Sequence, residues 1–184
     1  MKVHEQHKKK GPDTVNLALV IVSTSRFNEL QEKKSTSDKT IPLVRQILDK
    51  NPGVYLISSE IVPDNETQII EKLKRLLNDS SLHAIVFSGG TGLTPKDVTY
   101  EAIKPLLEKT IDGFGELFRY LSYKEIGPSS MLSRALAGKI KNKAVFLLPG
   151  SPNAVKLALN ELILPEIKHM IYMINKKEWA IWKI

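Results

Sequence analysis

Apolar residues in this chain fall into two kinds of run, short unbroken stretches and stretches with helical spacing, and the two kinds alternate. Val15-Asn16-Leu17-Ala18-Leu19-Val20-Ile21-Val22 is the first unbroken run, the pattern of a strand covered on both faces. Ser23 to Ser37 is polar and reads as a loop. Asp38 then suits the cap of a helix whose Val44, Ile47 and Leu48 share one face, and Pro52-Gly53 stops it. Val54 to Val62 reads as a second strand, and Pro63-Asp64-Asn65 breaks the chain. Ile69, Ile70, Leu73, Leu76 and Leu77 describe the next amphipathic helix. Leu82 to Phe87 is a third strand, and Thr99 is placed to cap a helix beginning Tyr100-Glu101-Ala102-Ile103. Ala144 to Leu148 is a further buried strand, followed by the turn Pro149-Gly150-Ser151-Pro152 and a helix from Ala154 to Ile174. Repeated strand–turn–helix units predict an α/β fold, a three-layer α/β/α arrangement around a mostly parallel sheet.

With 184 residues, 42% of them hydrophobic, the chain suffices for one well-buried core. The expected division is a basic leader over 1–13, a single domain over 14–175 and a tail over 176–184. No segment approaches the roughly 20 apolar residues that span a bilayer, and the first residues are charged, so a soluble, cytoplasmic protein without membrane contact is expected. The short apolar tail Glu178-Trp179-Ala180-Ile181-Trp182-Lys183-Ile184 fits packing against its own or a neighbouring subunit better than a membrane surface. There is no cysteine, which removes disulfide and thiolate chemistry. The net charge of +7 changes the picture less than its size suggests, because nearly all of it lies in the first ten and last seventeen residues. A nucleic-acid partner is not expected, since the body lacks a basic face.

In open α/β sheets, ligands bind beyond the carboxyl ends of the strands. Four segments stand there: Ser23-Thr24-Ser25-Arg26, Pro63-Asp64, Ser88 to Asp97, and Pro149 to Asn153. The third is a glycine-rich turn, Ser88-Gly89-Gly90-Thr91-Gly92, whose backbone N–H groups can approach a phosphate without a Cβ in the way. It is neither a Walker loop, since Lys96 stands between Pro95 and Asp97, nor a dinucleotide fingerprint, since Pro95 occupies the place of the third glycine. Asp64 and Asp97 reach the same edge from different strands, a natural arrangement for Mg²⁺, which takes a few carboxylates plus phosphate oxygens and water. Asp64 has a competing role as N-cap of the following helix, and both roles are compatible. His4 and His7 sit in the leader, His83 and His169 suit structural or surface roles, and no serine-nucleophile elbow is present.

Ser88-Gly89-Gly90-Thr91-Gly92-Leu93-Thr94-Pro95-Lys96-Asp97-Val98-Thr99 resembles the T-G-G-T-G-x-x-x-R-D-V-T pattern of the MogA/MoaB family of molybdenum cofactor biosynthesis. Asp112-Gly113-Phe114-Gly115-Glu116, Ser133-Arg134-Ala135 to Gly138, and Leu148 to Ala154 extend the resemblance over roughly Val15 to Ile174. It implies a molybdopterin-binding domain which, in active members, transfers AMP from Mg-ATP to molybdopterin and releases pyrophosphate. Such chemistry needs alignment and charge cancellation rather than a protein nucleophile. Carried onto this chain, the resemblance makes Asp64 and Asp97 the catalytic and Mg²⁺-binding pair. Ser25, Gly89, Gly90, Thr91, Gly92, Glu116, Ser133, Arg134, Gly150, Ser151, Pro152 and Asn153 become the binding set for ATP and molybdopterin. It also implies self-association as a trimer or hexamer and a downstream molybdate-insertion protein as partner. The alternative is a non-catalytic pterin-binding or scaffold member. Departures fall at the rim: Arg26 where many relatives have an aspartate, Thr40-Ile41-Pro42 where a glycine is common, and Lys96 for arginine. They bear on substrate fit rather than reaction class.

Overall fold

The computed structural model describes residues 10–176. Strands β1 (Val15–Val22), β2 (Val54–Val62), β3 (Ala84–Ser88), β4 (Lys109–Thr110), β5 (Leu136–Ile140) and β6 (Lys143–Leu148) form one sheet in the order β2-β1-β3-β6-β5-β4. The four strands β2, β1, β3 and β6 are parallel, while β5 and β4 run antiparallel at one edge. The mostly parallel sheet is thus as expected, and the antiparallel edge is an addition.

The unbroken apolar runs are explained by burial on both faces. In β1, Leu17, Leu19 and Ile21 point into one core and Ala18, Val20 and Val22 into the other. Phe146 and Leu148 of β6 alternate in the same way with Val145 and Leu147. The first core is closed by α2 (Thr40–Asp49), α5 (Asp112–Ile126), α6 (Pro152–Leu157) and α7 (Leu164–Asn175), with a π-helical turn over Ala158–Ile163 joining the last two. The second is closed by α3 (Glu66–Asn78) and the short α4 (Thr99–Ile103).

Three local expectations are corrected. Residues Thr24–Gln31 form a helix, α1, rather than a loop. Ser23 caps it, accepting from Arg26 N at 3.5 Å, but none of its residues is buried, so it leaves no apolar stripe in the sequence. Thr99 does not cap α4: it is the first helical residue, its N–H donates to Gly90 O at 2.8 Å, and its buried hydroxyl has no hydrogen-bond partner among the described residues. Asn65, not Asp64, caps α3, its Oδ1 accepting from Gln68 N at 3.0 Å. Asp38 stands one residue before Lys39, the N-cap of α2, and still accepts from Ile41 N in the first turn at 2.7 Å. Among the described residues, no helix is long and apolar enough to cross a membrane. The leader residues His4 and His7, and the Trp-containing tail, lie outside the described residues.

Candidate active site

All four strand-end segments open into one pocket of about 660 Å³ at the carboxyl edge of the sheet. Val22, Ser23, Ser25 and Arg26 line it from the end of β1, Asp64 from β2, Gly89 to Gly92 and Asp97 from β3, and Pro149, Gly150 and Ser151 from β6.

The glycine turn works by close backbone approach. Gly89 has φ +109°, and a Cβ there would stand 2.2 Å from the Val22 carbonyl oxygen. Gly90 has φ +62°, and a Cβ there would meet Thr99 Oγ1 at 2.3 Å and Asp64 Oδ1 at 3.1 Å. Only glycine permits both conformations and both contacts. The turn is tied to β6, because Gly89 N donates to Leu148 O at 3.0 Å and Ser88 Oγ to Pro149 O at 3.2 Å.

Each aspartate is fixed through one oxygen. Asp64 Oδ2 accepts from both the N–H and the hydroxyl of Thr24 at 2.8 Å, which aims Oδ1 toward the turn. Asp97 Oδ2 accepts from Thr94 Oγ1 at 2.6 Å and from Thr94 N at 3.0 Å. The Thr94 hydroxyl, followed by the N–H groups of Thr94 and Gly92 and the charge of Arg134, holds the Asp97 carboxyl below its ordinary range against the opposing effect of partial burial. Asp97 therefore stands ready as an anion near neutral pH, and both carboxyl groups sit at the lip of a backbone cradle. Among the described residues no group of three or more His, Cys, Asp or Glu side chains is placed to hold a metal ion by itself, so Asp64 and Asp97 are the acids the pocket offers. This donor set suits Mg²⁺, which completes its shell with substrate oxygens and water.

Comparison with known proteins decides the family. The model for "Probable molybdopterin binding domain" matches residues 18–169. Molybdenum cofactor biosynthesis protein B of Bacillus cereus is 42% identical over 94% of this chain and 98% of its own length. The chain belongs to the MogA/MoaB family. A crystal structure of a molybdenum cofactor biosynthesis protein B superposes on this member with a TM-score of 0.81 at 41% identity, covering 90% of this chain and 99% of the other. The tungsten cofactor synthesizing protein MoaB of Pyrococcus furiosus superposes with a TM-score of 0.76 at 36% identity, covering 88% and 98%.

Not every residue carried over from the MogA/MoaB pattern reaches the pocket. Ser25, Gly89, Gly90, Thr91, Gly92, Ser133, Gly150, Ser151, Asp64 and Asp97 line it. Arg134 does not: its Nε donates to Thr91 O at 2.9 Å and its Nη2 to Gly92 O at 2.6 Å. It also pairs with Glu101 and stacks over Tyr100 at 4.7 Å, so it braces the glycine turn from behind. Glu116 is exposed on α5, on the side away from Phe118 and Ser122. Pro152 is the first residue of α6, and Asn153 lines a separate groove with Glu125 and Lys156. The sequence reading in turn missed a whole wall, Phe118, Ser122 and Ile126 of α5 with Ser129, Ser130 and Leu132 of the following turn. The serine cluster Ser129-Ser130 beside Ser133 was the available signal, since three hydroxyls in five residues are unusual on a packed surface.

Proposed function

We propose that this chain is a molybdopterin adenylyltransferase. The terminal phosphate oxygen of molybdopterin attacks the α-phosphorus of ATP, the bond to the β-phosphate oxygen breaks, and adenylated molybdopterin and pyrophosphate result. The observation that carries the reading is the pair Asp64 and Asp97, delivered from β2 and β3 to either side of a glycine turn within one pocket. Among the described residues that line the pocket none offers a thiol or an imidazole, and transfer by direct in-line attack needs neither.

The chain's own groups divide the work by position. Gly89 N–H is spent on Leu148 O and Gly92 N–H on Asp97, which leaves Gly90 and Thr91 to offer the turn's N–H groups to a phosphate, while the Arg134 brace holds the carbonyls of Thr91 and Gly92. The wall of Phe118, Ile126 and Leu132 offers an apolar surface to a flat heterocycle, with Ser122, Ser130 and Ser133 supplying hydroxyls to its polar edge. Asp64 and Asp97 would hold Mg²⁺, which supplies charge neutralisation at the phosphates when bound. The test is pyrophosphate release from purified protein with molybdopterin and Mg-ATP, run beside Asp64→Asn and Asp97→Asn. Release by the wild type with loss in both variants supports the reading; pterin binding without release by any of the three moves it to a non-catalytic carrier.

A further inference from the structure

Of the charged side chains that line the pocket among the described residues, two are carboxylates, Asp64 and Asp97, and one is a cation, Arg26. Substrates that carry phosphates bring several negative charges to this spot, where the acids already repel them. We infer that Arg26 grips a substrate phosphate in this pocket and that buried Asp38 is its positioning residue, an inference that rests on the proposed reaction.

The placement follows from three local contacts. Arg26 lies in the first turn of α1, and that turn is anchored to the site because Thr24 holds Asp64. Further along α1, Glu29 accepts from Ser37 N at 2.6 Å and Ser37 Oγ at 2.8 Å, which folds the connection between α1 and α2 back toward the pocket. Asp38 thereby comes beside Arg26, with Nη1 3.6 Å from Oδ1.

The pairing is lopsided in a way that suits exchange. The Asp38 side chain is 1% exposed, and its Oδ2 is occupied by Ile41 N. Its Oδ1 is buried without a hydrogen-bond partner among the described residues, and 3.6 Å is longer than a hydrogen bond. The buried carboxylate is therefore offset by one backbone N–H at Oδ2 and, at Oδ1, by the guanidinium through proximity. Arg26, 23% exposed, makes no side-chain hydrogen bond among the described residues, feels the charge of Glu29 as well as Asp38, and carries the fork of N–H donors that a phosphate fits. Asp38 sets where the guanidinium rests without consuming it.

The experiment measures binding of Mg-ATP, inorganic pyrophosphate and molybdopterin to the full chain by calorimetry, with KM and kcat alongside, for the wild type, Arg26→Gln, Arg26→Lys and Asp38→Asn. Arg26→Gln is expected to weaken at least one phosphate ligand roughly 10- to 100-fold, with Arg26→Lys recovering part of the loss. Loss confined to ATP and pyrophosphate identifies the triphosphate as the group gripped; loss confined to molybdopterin identifies the pterin monoester. Asp38→Asn is expected to raise KM for that same ligand with little change in kcat, whereas a merely structural Asp38 would lower Tm and leave KM alone. Binding of all three probes by Arg26→Gln within twofold of the wild type overturns the inference. Should Arg26→Gln fail to fold, the same criterion applies to the equally uncharged Arg26→Met. Failure of the wild type to release pyrophosphate would sink the proposed reaction while leaving the binding comparison intact, so the two claims fail separately.

Discussion

Gly89→Ala probes whether the glycine turn is a built cradle or only a bend. Two costs meet at this position. A non-glycine residue at φ +109° pays about 1–3 kcal/mol in backbone strain. The added methyl would also stand 2.2 Å from the Val22 carbonyl oxygen, which is main chain at the end of β1 and cannot swing aside as a flexible side chain would. Relief by local backbone movement costs about 1–3 kcal/mol more. A total near 3 kcal/mol lowers Tm by roughly 6–12 °C in a domain of this size. Thermal and urea unfolding, read against Gly113→Ala, measure it. Gly113 lies in the first turn of α5, where an added Cβ would meet no described residue within 4 Å beyond its chain neighbours and its own helix backbone. Alanine there is expected to be neutral or stabilising by about 0.5–1 kcal/mol. If Gly89→Ala loses less than about 1 kcal/mol, within the range of ordinary surface changes, the close approach of the turn to Val22 is not real and the cradle argument falls.

Three further outcomes follow from the same geometry. Arg134→Lys keeps the charge but cannot reach the carbonyls of Thr91 and Gly92 together with Glu101, so pyrophosphate release should fall and stability drop by about 1–2 kcal/mol; unchanged kinetics would show that the brace is dispensable. Thr94→Val removes the hydroxyl that most lowers the Asp97 carboxyl, so its titration, followed by carboxyl-carbon NMR, should move up toward the ordinary range; the stabilisation that this lowering contributes is present at neutral pH and lost as pH falls through the folded value, and Thr94→Val should shrink that acid-side loss. His83 accepts from Asn16 N at 3.0 Å, and burial first, then the Lys143 charge, lowers its pKa. The unfolded chain therefore takes the proton first, stability falls as pH drops below about 6.5, and His83→Gln should flatten that part of a stability-versus-pH curve; a slope the mutation leaves intact would assign it to another group.

The legible parts of this fold are those where burial on both faces forces a composition. β1, β3 and β6 read as strands because both faces are packed and polar residues are confined to near their ends, at Asn16, Ser88 and Lys143, and α3 reads as a helix because Ile69, Leu73 and Leu76 must face one core. α1 was illegible for the converse reason, since none of its residues is buried and its start is set by a serine cap and by Thr24 holding Asp64. The antiparallel edge was also hidden: β5 and β6 are joined at Lys141, which adopts φ 52° without glycine's usual signal, and β4 has only two residues. At the site, residues anchored to strand ends came together as expected. Those on helices did not, because spacing does not say which side of a helix faces the pocket, so Phe118 and Ser122 were passed over while Glu116 was included. Arg134 shows the same limit, for a motif residue that braces the turn looks no different in sequence from one that touches ligand.

The most direct test of the account is mass-spectrometric detection of adenylated molybdopterin after purified protein meets molybdopterin and Mg-ATP, with Asp97→Asn as the paired sample. Formation of the adenylate by the wild type and its absence from a folded, pterin-binding Asp97→Asn is the predicted result. Equal adenylate from both would contradict the role given to the carboxylate pair, and none from a wild type that binds both substrates would contradict the adenylyl transfer itself.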